Sequence, residues 1–371
     1  MSEKIPFVAP SRMYSLLKDE LDAAYFDVMS KGDLIDRSHL KSFESNLANF
    51  VGTKYAIGVN SGYDALHLSL RALGLKGGDE VIVPAHTFVA TCSAVVNAGA
   101  KPVLVDVKKD FNIDVDKIEE AITERTKAII PVHLSGWMAD MPLIMKIVQK
   151  YDLFVVEDAC QSLGSSINGI KAGSWGNTGC FSFYPFKILG GYGDGGAITT
   201  NDENIAVFAK RMRFNGEDRE TGEYHGHGYT CLLDNLQAAF LDVKLKHLPE
   251  SIRRRKTIAG KYYERLSGIP DLLLPQYERP GFDHVYQNYT VRSRQGDEFS
   301  QYLLNKGIEV LTQFRKPYYK HGGLNLEDRG YPETEALSRE VCSLPMSFEL
   351  KDNEIEYIIA TVKSFYSKQS R

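Results

Sequence analysis

The chain has 371 residues, 43% hydrophobic and 25% charged, a globular composition that excludes a disordered protein and is too long for one ordinary core. A formal net charge of −4 excludes a broadly basic nucleic-acid binder, so any anionic ligand must be held by a local site. No apolar run is long enough for a signal-peptide core or a bilayer span, and five scattered cysteines (Cys92, Cys160, Cys180, Cys231, Cys342) fit reduced thiols in a cytoplasm rather than a disulfide frame or a zinc site.

Residues 11 to 50 read as mostly helical, with a break near Gly32. Short apolar runs then alternate with helical patterns. The strand-like pieces are YAIGVN (55–60), EVIVPA (80–85), PVLVDV (102–107), AIIPVHL (128–134), LFVVEDA (153–159) and GAITTN (196–201). In DALHLSLRALGL, Leu66, Leu70 and Leu73 share one helical face. Near-continuous apolar strands separated by helices predict an α/β fold with a mainly parallel sheet covered on both sides. Residues 232 to 266 read as long helix with a break near Pro249, and the pattern beyond becomes mixed. The domain boundary is therefore expected at 245 to 255, giving a large domain of 1–250 and a smaller α/β domain of 251–371. The chain has no internal repeat and no low-complexity segment.

Ligands of such sheets gather at the carboxyl ends of strands. The polar groups that follow the apolar runs are Asn60-Ser61-Gly62, His86-Thr87-Phe88, His133, Glu157-Asp158 and Ser182. Ser61-Gly62 opens a helix whose free amides suit an anion, although Ser61 with Asp64 is also a plain N-cap pattern. Glu157 and Asp158 point to opposite faces of their strand, so at most one addresses a given ligand. Lys187 follows small and aromatic residues and precedes a run with five glycines. Lysine forms imines with aldehydes, and burial lowers its pKa for that purpose. Lys187, an anion-binding helix start, an acid upstream and an aromatic, Phe88, are the parts that pyridoxal 5′-phosphate (PLP) requires. His225 and His227 with Cys231 fall one donor short of a metal site, so no metal is expected. His86 and His133 are given no catalytic role.

The stretches NSGYDALHLSLRALGLKGGDEVIVPAHTFVAT, TKAIIPVHLSG, VVEDACQSLGS, GCFSFYPFKILGGYGDGGAITTND and LLDNLQAAFLDVKLKHL come in a recognisable order and spacing. They resemble the PLP-dependent sugar aminotransferases of the DegT/DnrJ type, from about residue 30 to SLPM near 343–346. The resemblance implies the aspartate-aminotransferase fold (PLP fold type I) and a homodimer whose active sites are shared. It implies amination of nucleotide-diphosphate ketosugars with L-glutamate as donor. Lys187 matches the lysine that forms the imine with the cofactor; some relatives have histidine there and dehydrate instead. Asp158 matches the partner of the pyridine nitrogen, and Gln161 the residue beside the phenolic oxygen. Phe88 matches the aromatic over the ring, Gly62 and Tyr63 the backbone donors to phosphate, and Ser182 a hydroxyl donor. Threonine is common where this chain has Tyr63. Many relatives read G-Y-N-S-R where this chain has Gly228-Tyr229-Thr230-Cys231-Leu232. Thr230 takes the place of the asparagine that reaches the neighbouring subunit's phosphate, and Leu232 cannot replace the arginine.

Pro185 before the lysine and Asp194-Gly195-Gly196 after it are closer to members acting at C-3 than at C-4. The expected reaction is amination of a dTDP-3-keto-6-deoxyhexose to a 3-amino-3,6-dideoxy sugar, as used in O-antigen or S-layer glycans. The alternatives are a UDP-linked 3-ketosugar, a C-4 ketosugar, or a PLP-binding regulator without turnover. Such regulators usually carry a DNA-binding module, and this chain has no spare length for one.

Overall fold

The computed structural model describes residues 4–275 and 279–367. In chain order the strands are β1 (Tyr55–Val59), β2 (Glu80–Pro84), β3 (Lys101–Val105), β4 (Thr126–Ile129), β5 (Phe154–Asp158), β6 (Ser166–Ile167), β7 (Ile170–Lys171), β8 (Thr178–Ser182) and β9 (Gly196–Thr200). Further along come β10 (Leu272–Leu273), β11 (Phe282–Asp283), β12 (Tyr289–Ser293) and β13 (Val341–Leu344). The central sheet has seven strands in the order β1-β9-β8-β5-β4-β2-β3. Its pairs are parallel from β8 through β5, β4 and β2 to β3, and β9 runs antiparallel to both neighbours. A second sheet of β10, β12 and β13 is antiparallel.

Strand alternation divides the core in two. Ile82, Ile129, Val155, Phe181 and Ala197 face a cluster built on the helices Ser38–Val51, Met141–Tyr151 and Asn235–Leu266. Their neighbours Val81, Ala128, Val156, Cys180 and Ile198 face the opposite cluster, built on Gly62–Ala72, Val89–Asn97 and Glu203–Met212. Successive side chains of a strand point to opposite faces, so a strand covered on both sides must be apolar throughout. A third cluster joins Ile258, Ala259, Tyr262 and Leu266 to Tyr289, Val291, Leu344 and the helix Asp352–Ser367. Ile5 packs into this third cluster and bridges Ile308, so the segment around Ile5 attaches to the last third of the chain.

Three readings of the sequence are corrected. The helix Asn235–Leu266 runs through Pro249 without a break. Proline removes one backbone donor and crowds the preceding turn. Here Ala238, Leu241, Leu245 and Leu248 are fixed in one core and Ile258, Ala259, Tyr262 and Leu266 in another, so packing on both sides of Pro249 holds the helix together. The run 128–134 is strand only to Ile129; Pro131 follows, and Leu134–Gly136 is a 3-10 turn. Besides the turn at Gly32, whose φ of 68° closes the helix Lys18–Lys31, the N-terminal helical stretch breaks at Leu17 and over 33–37. Among the described residues no helix is long and apolar enough to cross a membrane.

Candidate active site

Parallel pairing of β5 with β8, with Asp158 opposite Cys180, carries both strands to the same edge of the sheet. β1 reaches that edge beside β9, with Val59 opposite Gly196. Asp158, Ser61-Gly62, Ser182 and the glycine run after Lys187 thus converge. They line a cavity of about 530 Å³, to which Thr87, Phe88, Cys160, Gln161, Tyr184, Phe186, Asp194, Gln287 and Phe314 also contribute.

Lys187 lies in a tight turn whose backbone N–H donates to the Tyr184 carbonyl at 2.8 Å. Burial lowers the pKa of its amine, and the neighbouring Cys160 and Asp158 act the other way without reversing it. An amine shifted down reaches its neutral, nucleophilic form more readily. Asp158 is 6% exposed, and its Oδ2 accepts the Thr91 hydroxyl at 2.8 Å. Thr91 in turn shares a hydrogen bond with the Thr87 hydroxyl at 3.0 Å. The other carboxylate oxygen meets the Cys160 N–H at 3.3 Å. Burial raises the Cys160 thiol well above its ordinary value, with Asp158 adding to the effect, so Cys160 stays protonated.

Glu157 faces the other side of β5. It pairs with His133 Nε2 at 3.0 Å and accepts the N–H groups of Gly173, Trp175 and Gly176. His133 is fully buried and its Nδ1 accepts the Ala139 N–H, so this histidine braces loops away from the cavity. His86, pushed down to about 4 by burial, is likewise buried and does not line the cavity.

At the opposite end, Ser61 caps the helix Gly62–Ala72: its hydroxyl accepts the Asp64 N–H and donates to the Asp64 carboxylate. A Cβ on Gly62 would stand 2.7 Å from Cys160 Sγ and 2.8 Å from Ser182 Cβ, closer than real carbons come. The helix start therefore presses against the end of β8, placing the Ser182 hydroxyl beside free helix amides. Tyr63 lines the cavity, yet its hydroxyl already receives the Asn97 amide and its ring stacks on His67. Gln161 accepts the Ser135 N–H at 2.8 Å through its carbonyl, leaving its NH₂ for the cavity. Phe88 precedes the helix Val89–Asn97 and is 58% exposed at the cavity, a flat apolar surface waiting for a cover.

Seven of the eight residues expected from the sequence (Gly62, Tyr63, Phe88, Asp158, Gln161, Ser182 and Lys187) line this one cavity. Thr230 does not: it is exposed, and its hydroxyl donates to Asn215 at 2.9 Å. Sequence reasoning missed Thr91, Cys160 and Gln287. Thr91 had a signal, because it lies in the first turn of the helix that opens directly after the polar group His86-Thr87-Phe88. Gln287 had none; a hundred residues separate it from the loop it touches. The donor set fits PLP. An amine and a carboxylate share the cavity, a hydroxyl and free helix amides suit a phosphate, and the close-packed glycine leaves room for it.

The description of the DegT/DnrJ/EryC1/StrS aminotransferase family matches residues 16–363. A relative in Geobacillus stearothermophilus named "Pleiotropic regulatory protein" is 38% identical, covering 98% of both chains. The dTDP-3-amino-3,4,6-trideoxy-α-D-glucose transaminase of Streptomyces venezuelae is 37% identical over 98% of this chain and 96% of its own. The UDP-N-acetyl-3-dehydro-α-D-glucosamine 3-aminotransferase of Acidithiobacillus ferrooxidans is 38% identical over 97% of both. The crystal structure of S. venezuelae DesV in complex with a ketimine intermediate superposes with a TM-score of 0.95 at 37% identity, covering 98% of this chain and 99% of that one. NtdA of Bacillus subtilis, solved with bound cofactor PMP, gives a TM-score of 0.91 at 29% identity, covering 99% and 86%. This chain belongs to the DegT/DnrJ/EryC1/StrS aminotransferase family and is a PLP-dependent aminotransferase.

Proposed function

We propose that this enzyme transfers the amino group of L-glutamate to C-3 of a dTDP-linked 3-keto-6-deoxyhexose, giving a 3-amino-3,6-dideoxy sugar. One observation carries the proposal: Lys187 and Asp158 share one cavity with the helix start at Gly62 and the Ser182 hydroxyl. Relatives named for amination at C-3 of dTDP- and UDP-linked sugars support the substrate class. Pro185 and Asp194-Gly195-Gly196 support C-3 over C-4.

PLP, once bound, supplies an aldehyde that takes up the amino group and a ring that holds the electron pair released with it. The chain's own residues do the rest. The Gly62 and Tyr63 amides and the Ser182 hydroxyl would hold the phosphate, and Phe88 would cover the ring. Asp158, kept oriented by Thr91, would hold the proton on the pyridine nitrogen, and the Gln161 NH₂ would serve the phenolic oxygen. Lys187 Nζ, whose affinity for a proton burial lowers, removes the proton from the donor's α-carbon. In the second half it delivers a proton to sugar C-3. The cycle is ping-pong.

The working unit is a homodimer with shared sites. Tyr25, Phe26, Met29, Leu34 and Ile35 leave an apolar surface exposed along the helix Lys18–Lys31 and the loop after it, which supports a partner there. Thr230 is exposed and lies outside its own chain's cavity, which supports a role at the partner's phosphate. Residues 1–250 and 251–371 act as two domains, a reading supported by the change of core along the helix Asn235–Leu266.

The Lys187→Ala variant is expected to lose turnover and the visible absorbance of the lysine-linked cofactor; full activity in it would end the proposal. Product analysis across dTDP- and UDP-linked 3- and 4-ketosugars identifies the substrate. The regulatory name of one relative favours a second reading, a PLP-binding regulator. A single glutamate half-reaction followed by absorbance separates the two, since a regulator leaves the spectrum unchanged.

A further inference from the structure

The lysine loop is held from outside the central sheet. Gln287 precedes β12, is 5% exposed and lines the cavity. Its Oε1 accepts the Ile188 N–H at 2.6 Å, and its Nε2 donates to the Phe186 carbonyl at 2.9 Å. One amide group thus closes on the backbone on both sides of Lys187. A side-chain amide offers a donor and an acceptor side by side in one rigid plane at any ordinary pH. Gln287 is itself tethered. The buried guanidinium of Arg255 donates through Nη1 to the carbonyls of Tyr286 (3.0 Å), Gln287 (3.1 Å) and Met346 (2.7 Å). Downstream, Gln237 accepts the Tyr192 N–H at 2.9 Å and Lys244 donates to the Gly190 carbonyl. Among the described residues nothing hydrogen-bonds the Lys187 amine itself.

We propose that Gln287 is a positioning residue for Lys187: it fixes the peptide units flanking the lysine so that a mobile amine swings from an immobile base. The glycines that follow Lys187 give the loop freedom it must not use during proton transfer. A lysine has four side-chain torsions, so a shift of its backbone is passed to Nζ without correction. Displacement of a reacting group by about 1 Å is enough to lose roughly a hundredfold in rate. Arg255 extends the clamp to β12 and the segment after β13, so the seating of those elements sets where the amine stands. The inference rests on the proposed role of Lys187 in proton transfer.

The test uses the full-length enzyme and three variants, Gln287→Leu, Gln287→Glu and Gln287→Asn. Leucine fills the space and removes both bonds. Glutamate keeps an acceptor for Ile188 and turns the Phe186 contact into two facing oxygens. Asparagine keeps the group on a shorter arm. Hydrogen–deuterium exchange of the peptide spanning 184–192 is measured with no substrate, alongside kcat and KM. In Gln287→Leu the Ile188 amide is expected to exchange at least about tenfold faster, while peptides of β1 and β2 stay protected. Its kcat is expected to fall by roughly ten- to a hundredfold with KM for the ketosugar within about threefold, and Gln287→Glu is expected to lie between it and the parent. If Gln287→Leu does not fold, Gln287→Glu and Gln287→Asn carry the same comparison. Unchanged Ile188 exchange, or faster exchange with unchanged kcat, overturns the inference. A parent enzyme that loosens at Ile188 in the variants but aminates no sugar refutes the proposed function and leaves the clamp standing.

Discussion

Replacing Gly62 by alanine tests whether the cradle is as tight as the structure draws it. The new methyl carbon would stand 2.7 Å from Cys160 Sγ and 2.8 Å from Ser182 Cβ, with the Ser182 Cα at 3.4 Å. The sulfur can swing aside. The Ser182 Cβ cannot, because it is fixed to the backbone of β8, which pairs with β5 and β9. Gly62 has no left-handed backbone angle, so backbone strain plays no part. Alanine would otherwise favour the helix by up to about 1 kcal/mol. Overpacking a rigid wall costs about 1–3 kcal/mol and so outweighs that gain. The helix start must lift from β8, which separates its amides from the Ser182 hydroxyl. Losing one hydrogen bond to a charged group is worth about 1.5–3 kcal/mol, or roughly a 10- to 150-fold weaker hold on PLP. Denaturant unfolding at unchanged m-value measures the first quantity, and titration of the cofactor-free enzyme with PLP measures the second. Gly77 has nothing within 4 Å of its added carbon, so Gly77→Ala is the control, expected within about 0.5 kcal/mol of the parent. If Gly62→Ala is as stable as that control and binds PLP as the parent does, the close approach of the helix to β8 is wrong.

Thr91→Val keeps the shape but takes the hydroxyl from a buried carboxylate, and a loss of about 1.5–3 kcal/mol in stability is expected by denaturant unfolding; no loss would mean that Thr91 does not serve Asp158. Burial holds the Lys187 amine below its usual 10.5, so the folded chain binds that proton less tightly than the unfolded chain. Stability of the cofactor-free enzyme should therefore rise with pH between the lowered pKa and 10.5, and Lys187→Met should lose that rise. The stability gained by Lys187→Met is expected to be largest near neutral pH and to shrink towards 10.5. A difference that stays constant over that range contradicts the burial of the amine.

Where the sequence could be read, one-dimensional rules and sheet pairing agreed. Apolar strands covered on two faces alternate between two cores, as Val155 and Val156 do, and the same alternation separates Asp158 from Glu157. Lys187 and Asp158 meet because β5 and β8 are near in sequence and adjacent in the sheet, so both strands leave by one edge. Pro249 misled because local propensity counts for little where a helix is packed in a core on each side of the proline. Gln287 was illegible for a different reason. Its partners, Phe186 and Ile188, sit in a glycine-rich loop with no periodic pattern, and its position depends on how the last third of the chain docks onto the sheet. Phe7 and Phe314 enter the cavity from opposite ends of the sequence by the same route, since Ile5 pairs with Ile308 and so brings the segment around Ile5 beside the one that contains Phe314. The meeting of Lys187 and Asp158 is thus set by the topology of one sheet. The part of the wall that holds Phe7, Gln287 and Phe314 is set instead by docking between distant segments. Short motifs therefore announce the reaction class of such a chain well before they announce its substrate.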